Sequence, residues 1–358
     1  MNEIVNEMER NPNIEFLRLI AMFMVLMLHA LGHGGVLKHY DSESFGYLFF
    51  WFIESMCMVS VNSFVLITGY FGTHCKFKLT KILRFYIKVL LFSLICTFIT
   101  TVLFNTKLDF TDWLYGMFPL TSKRYWFATI YVMLMFIQPA LNIFLARSKK
   151  TEIKHLIIVL LILFSVLPTI LIWYRKVSGI GMDLTWFVVL YFIGAYIHKY
   201  GIGVNKKHWL LYYILITFSL CIANAIIPVT LKVLLGVEKG VGLFNYYNTI
   251  FVLSSSVCFF MYFVERSPKN TFFVKKFARL GMYSFGAYLI SDHTVIRKSL
   301  WKAVDIKGVG GGNEAITLCY VLLINLLILF VGIMLDWLIT KLMKTKLFMN
   351  ICKMKYYH

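Results

Sequence analysis

The chain has 358 residues, is 59% hydrophobic with a mean hydropathy of +0.74, and carries a formal net charge of +19 at pH 7. Runs of about twenty apolar residues recur from end to end, which excludes a soluble globular protein and describes a polytopic bundle of membrane-spanning helices. Most Lys and Arg fall between those runs, so the positive charge reads as membrane topology and contact with anionic lipid, not as binding to nucleic acid.

The seven cysteines form no C-x-x-C pair and mostly sit within apolar spans, as small buried hydrophobes do. The nine histidines show no metal-ligand spacing, so no metal is expected. Glu3, Glu7, Glu9 and Glu15 accompany Arg10 and Arg18, a poor leader for a cleaved signal peptide, so the first helix is expected to stay.

Ten spans can be drawn, at roughly 16–32, 47–71, 85–105, 126–146, 155–173, 184–200, 209–228, 245–264, 280–296 and 315–338. The expected fold is all-α: one integral membrane domain over 1–358, with a short basic tail at 339–358. An even count puts both termini on one side, and the loops of that side carry about twice as many Lys and Arg as the others. Both termini are therefore expected in the cytoplasm, with the chain in the plasma membrane.

The first span, Asn13–Gly34, is interrupted by Arg18 and His29. Eleven helical residues make three turns plus about 20°, so both side chains leave one face, roughly 16 Å apart. Glu15 can pair with Arg18 at i, i+3. An ionisable residue in a spanning segment is a functional candidate facing the bundle interior. Arg18 taken alone also fits a snorkelling anchor, and His29 an interfacial histidine.

The second span holds Glu54, Asn62 and Thr68 in an apolar run and ends I-T-G-Y-F. A carboxylate at the depth of His29 would raise its pKa and fix its tautomer; the alternative is a polar residue satisfied by a neighbouring helix. The stretch KFKLTKILRFYIK (76–88) leads into the third span, as a positive-inside anchor or as a cradle for phosphates. The fourth span opens at Tyr125 and Trp126, an aromatic belt or a sugar platform, and continues to Pro139, Leu141 and Asn142. Asp183 precedes the sixth span and either caps it or meets a hydroxyl. The ninth span contains Ser-Phe-Gly-x-Tyr-Leu-Ile (284–290), followed by Ser291, Asp292 and His293. The glycines at 308 and 310–312 have no Lys-Ser/Thr after them and read as a flexible outer loop, not a phosphate loop.

Arg18 through His29 resembles the R-x10-H signature of the acyltransferase-3 family of integral membrane acyltransferases. The end of the second span, Trp126-Phe127 with Pro139-x-Leu141-Asn142, Trp186-Phe187 with Gly194, and the 284–290 run are similar to further family features in the expected order. Members commonly follow that last run with a histidine. Here Ser291 stands there, and His293 follows two residues later, about 200° around a continuous helix.

The resemblance implies an O-acyltransferase, acetyl-CoA as donor, and a hydroxyl of a cell-surface or lipid-linked polysaccharide as acceptor. With this implied chemistry, His29 and Arg18 are the expected catalytic residues with Glu54 as orienting partner, Arg18, Lys81 and Arg84 are expected toward the acyl-CoA, and Asn62, Tyr125, Trp126 and Asp183 toward the acceptor. A transporter or flippase for a lipid-linked sugar needs a similar bundle but should show internal repeats, and none is clear. A non-catalytic sensor domain of the same fold is a third reading.

Overall fold

The computed structural model describes residues 11–41, 44–73, 77–122, 124–202, 208–236, 242–266 and 272–345. The charged segment before residue 11 and the basic tail beyond residue 345 lie outside the described residues. Among the described residues the chain is helical and contains no strand.

In chain order the helices are α1 (Pro12–Gly32), α2 (Phe45–Cys57), α3 (Val59–Gly72), α4 (Leu79–Leu103), α5 (Phe110–Met117), α6 (Trp126–Arg147) and α7 (Lys150–Leu161). They continue with α8 (Leu184–Tyr200), α9 (Trp209–Leu235), α10 (Ile250–Val264), α11 (Phe272–Gly281) and α12 (Phe285–Ser291). The last are α13 (Thr294–Val304), α14 (Ile306–Gly310) and α15 (Glu314–Met343). Seven stretches of described residues are long and apolar enough to cross a membrane: Pro12–Lys38, Phe45–Gly72, Leu79–Leu103, Trp126–Arg147, Lys150–Ile170, Trp209–Leu234 and Glu314–Met343.

The other three expected spans differ in form. The sixth and eighth are the 17-residue α8 and the 15-residue α10. The ninth is broken between α12 and α13, where Asp292 closes one helix and His293 caps the next. The glycine-rich stretch expected as a loop is partly helical, as α14, begun by Asp305, whose carboxylate accepts from Gly308 N at 3.2 Å.

The chain divides into two compact units. The first comprises Met1–Gly34, Lys78–Thr129 and Arg266–His358; the second comprises Gly35–Phe77 and Ile130–Glu265.

In the first unit α12 lies directly on α15. A Cβ on Gly286 would sit 2.4 Å from the Gly332 carbonyl oxygen, and one on Gly332 would sit 2.4 Å from the Ala287 backbone. Small residues let two helix backbones touch where lipid offers no hydrophobic drive to bring them together. Asp336 on α15, fully buried, takes Lys88 Nζ of α4 at 2.6 Å and the Thr340 hydroxyl at 3.1 Å. An intramembrane charge must be paired, and this pair ties α4 to α15.

In the second unit α3 crosses α8 by the same device. A Cβ on Gly69 would meet the Tyr191 carbonyl oxygen at 2.3 Å, and one on Gly194 the Leu66 carbonyl oxygen at 2.4 Å. Gln138 and Asn142 of α6 both donate to the Gly72 carbonyl, at 3.0 and 2.9 Å, and Tyr191 donates to Asn142 at 2.6 Å. The glycines and the asparagine of the sequence motifs therefore serve helix crossing and the satisfaction of a helix end.

Candidate active site

The first unit assembles a polar cluster where α1 ends and α12 breaks into α13. His29 is in the last turn of α1, half-buried, and its Nδ1 lies 2.8 Å from Ser291 Oγ. Ser291 is fully buried, and its hydroxyl also lies 2.9 Å from the Ala287 carbonyl and 3.3 Å from the Tyr288 carbonyl. A hydroxyl has one proton and two lone pairs. When that proton goes to a carbonyl of its own helix, the hydroxyl accepts from His29 Nδ1–H, and Nε2 keeps its lone pair.

The break in the ninth span sends three successive side chains three ways. Ser291 meets His29. Asp292 meets Arg297 Nη1 at 3.0 Å and His33 Nε2 at 3.8 Å, and the same guanidinium nitrogen lies 3.3 Å from His33. His293, fully buried, turns to Arg124 Nη1 at 3.2 Å and Thr97 Oγ1 at 3.5 Å.

An arginine only donates, so His293 Nε2 accepts from it. A neutral imidazole has one acceptor nitrogen, and the Arg124 contact claims it over the longer approach of Ile296 N to Nδ1 at 3.4 Å. Arg124 also donates to the Asp112 carbonyl and lies 3.7 Å from the Asp112 carboxylate. Burial pulls its pKa below the ordinary guanidinium value, and Asp112 opposes that pull. His293 thus ties α13 to α4 and to the segment before α6, and does not take the place of the histidine usual after the 284–290 run.

Around His29 stand the His33 ring, with centroids 5.4 Å apart, and the Tyr288 ring at 6.1 Å. His29 and His33, the residue that closes α1, are one helical turn apart, a spacing the sequence displays. Ligand-type atoms of His29, His33 and Asp292 lie within 4.8 Å of one another, close enough for a cation. Arg297 already holds the Asp292 carboxylate, and its own positive charge opposes a metal there.

The remaining sequence candidates fall at several places. Arg18, eleven residues from His29, pairs with Glu15 at 3.2 Å. Lys81 is exposed and Arg84 half-buried in the first turns of α4, in the same unit. Tyr125 is fully buried and donates to the Leu289 carbonyl at 2.9 Å, holding α12 and not facing lipid or water. Trp126 begins α6, half-buried, with its ring 5.9 Å from that of Phe127.

Glu54 belongs to the second unit, in α2, with Oε2 buried and without a hydrogen-bond partner among the described residues. Asn62 of α3 is fully buried in that unit. It donates to the Tyr247 carbonyl at 2.8 Å and Ser256 at 3.1 Å, and accepts from Trp186 Nε1 at 3.1 Å. That leaves little of its amide for a ligand. Asp183 caps α8, accepting from Trp186 N at 3.0 Å.

Comparison with known proteins gives one result. A family model described as an acyltransferase domain matches residues 11–343, nearly all of the chain. No curated protein and no solved structure matches it.

Proposed function

We propose, from the premise that this chain belongs to the acyltransferase-3 family of membrane acyltransferases, that it moves an acetyl group from cytoplasmic acetyl-CoA to a hydroxyl of a cell-surface or lipid-linked polysaccharide. The observation that carries this reading is the His29–Ser291 pair, an imidazole held by Nδ1 with Nε2 left to do chemistry. Donor and acceptor lie on opposite sides of the bilayer, and α1 carries polar groups at both ends of one stripe, Arg18 and His29, about 16 Å apart.

In this reading Arg18, with Lys81 or Arg84, holds the phosphates of CoA on the cytoplasmic side. The uncharged pantetheine arm extends toward His29. Nε2 takes the proton of the sugar hydroxyl as its oxygen attacks the thioester carbonyl; the C–S bond breaks, and the CoA thiolate leaves with the proton returned by the imidazolium. A route in which His29 first carries the acetyl group itself fits the same geometry.

The test is transfer from labelled acetyl-CoA in membranes holding wild type or His29→Ala at matched levels. Label should reach the glycan fraction with wild type and fall by about 10²–10⁴ with His29→Ala. Equal transfer by both proteins removes His29 from the mechanism. No transfer by either defeats the choice of donor or acceptor and favours a transporter.

A further inference from the structure

Beside His29 the first unit contains an open surface cavity of about 340 Å³ lined by His33, Arg297, Lys298, Trp301 and Lys302, of which His33 and both lysines are exposed. Four of the five come from α13, at positions i, i+1, i+4 and i+5, a spacing that gathers them on one face of a helix. The fifth, His33, has its ring 5.4 Å from that of His29.

The charge here is not balanced. Arg297 is held by Asp292 at 3.0 Å. Asp305, which follows α13, accepts from the Gly308 amide and does not line the cavity. Lys298 and Lys302 form no ion pair among the described residues. The indole N–H of Trp301 is buried and has no acceptor among the described residues.

We propose that this cavity receives an anionic group, carboxylate or phosphodiester, carried by the glycan acceptor, so that the substrate is an acidic polysaccharide. The inference rests on the acyltransferase reading and gives it a substrate class. The reacting end of acetyl-CoA is neutral, since the thioester and pantetheine arm bear no charge and the phosphates lie at the far end of the molecule. A cationic cavity one ring away from the base therefore matches a charge on the other substrate. Arg297 and the two lysines fix the anion, and the neighbouring sugar hydroxyl is brought to His29.

The test uses the full chain in nanodiscs of phosphatidylcholine, so that no anionic lipid occupies the cavity. Binding is read without turnover, by fluorescence-labelled oligogalacturonate, a glycerol-phosphate oligomer and a neutral galacto-oligosaccharide. At least one anionic probe should saturate and bind about tenfold or more tightly than the neutral one, and Lys298→Gln/Lys302→Gln should remove about tenfold of that affinity. Preference for oligogalacturonate identifies a carboxylate, and preference for the glycerol-phosphate oligomer a phosphodiester.

Equal binding of neutral and anionic probes, or no binding of either anion, overturns the proposal. A second measurement separates donor from acceptor: the double variant should leave the KM for acetyl-CoA unchanged. A rise in that KM assigns the cavity to CoA phosphates and overturns the proposal. If the anionic probe binds as described while wild type transfers no acetyl group, the anion site stands and the acyltransfer reading falls.

Discussion

Ser291→Ala removes one oxygen and tests how His29 is held. The hydroxyl is 2.8 Å from His29 Nδ1 and sits in the last turn of a helix in which alanine is fully tolerated, so the backbone of α12 should not change. Ser291 is fully buried, and the variant removes the acceptor of Nδ1–H, which the half-buried His29 ring can partly recover from water. A hydrogen bond contributes about 0.5–1.5 kcal/mol net, which converts to a kcat about 2- to 13-fold lower. That is well short of the loss expected from removing the imidazole.

The KM for acetyl-CoA should not move, because Ser291 is offered no contact with the donor. The assay is steady-state acetyl transfer in proteoliposomes over a range of pH, with kcat and KM determined separately. The ¹⁵N shifts of His29 report its tautomer directly: Nδ1 protonated in wild type, mixed in the variant. A variant with wild-type kcat and an unchanged tautomer would refute the argument. So would a loss as large as that of His29→Ala, since Ser291 would then be more than a positioning residue.

Lys88→Met strands the Asp336 carboxylate in the first unit and should cost about 3–5 kcal/mol of stability in detergent thermal unfolding, whereas Lys88→Met with Asp336→Leu should recover most of it. A single variant as stable as wild type would show that the 2.6 Å pair does not hold α4 to α15. Gly332→Val places atoms where a Cβ already meets the Ala287 backbone at 2.4 Å. It should lower the unfolding temperature and also the activity, by moving Ser291 away from His29. Gly32→Ala, with nothing within 4 Å of its Cβ, should be neutral or slightly stabilising in the same experiment. Asn62→Ala should destabilise the second unit by about 1–3 kcal/mol, by leaving Trp186 Nε1 without its acceptor, and should leave the KM for the acceptor unchanged.

The R-x10-H stripe was legible because an interrupted apolar run on one helix needs nothing but its own period to be read. The long spans were legible for the same reason. What escaped was everything that depends on where a helix stops. The run from Leu280 to Ile296 reads as a single apolar span. Its break at Asp292–His293 rests on Asp292 closing α12 and His293 turning away to Arg124, a residue far off in sequence. Ser291 likewise acquires a role only when α1 lies beside α12. Tyr125, legible as aromatic belt or sugar platform, donates to the Leu289 carbonyl, and Asn62 meets the Tyr247 carbonyl, Ser256 and Trp186, because a polar group in a spanning helix must find a partner and usually finds a neighbouring helix. His33 was available from its spacing to His29, and Arg297, Lys298 and Lys302 from their clustering. Only the fold shows that the two sets face one cavity.

The serine at 291 also carries an argument about the number of imidazoles the chemistry needs. Chains of this family commonly have a histidine after the run that ends here at Ile290, yet the nearest histidine, His293, is committed to Arg124 and Thr97. In the proposed scheme His29, positioned by the Ser291 hydroxyl, is the imidazole that moves the proton, with the His33 ring beside it. Ser291→His restores the common residue and asks whether a second ring would serve. The hydroxyl it replaces is fully buried between α1 and α12, so an imidazole must push the helices apart or adopt a strained rotamer, at a cost of about 1–3 kcal/mol. The expected variant unfolds at a lower temperature and transfers acetyl no faster than Ser291→Ala. If it instead matched or exceeded wild-type kcat, the pocket would accept a ring, and the hydroxyl would be only one of two ways to hold Nδ1 of His29.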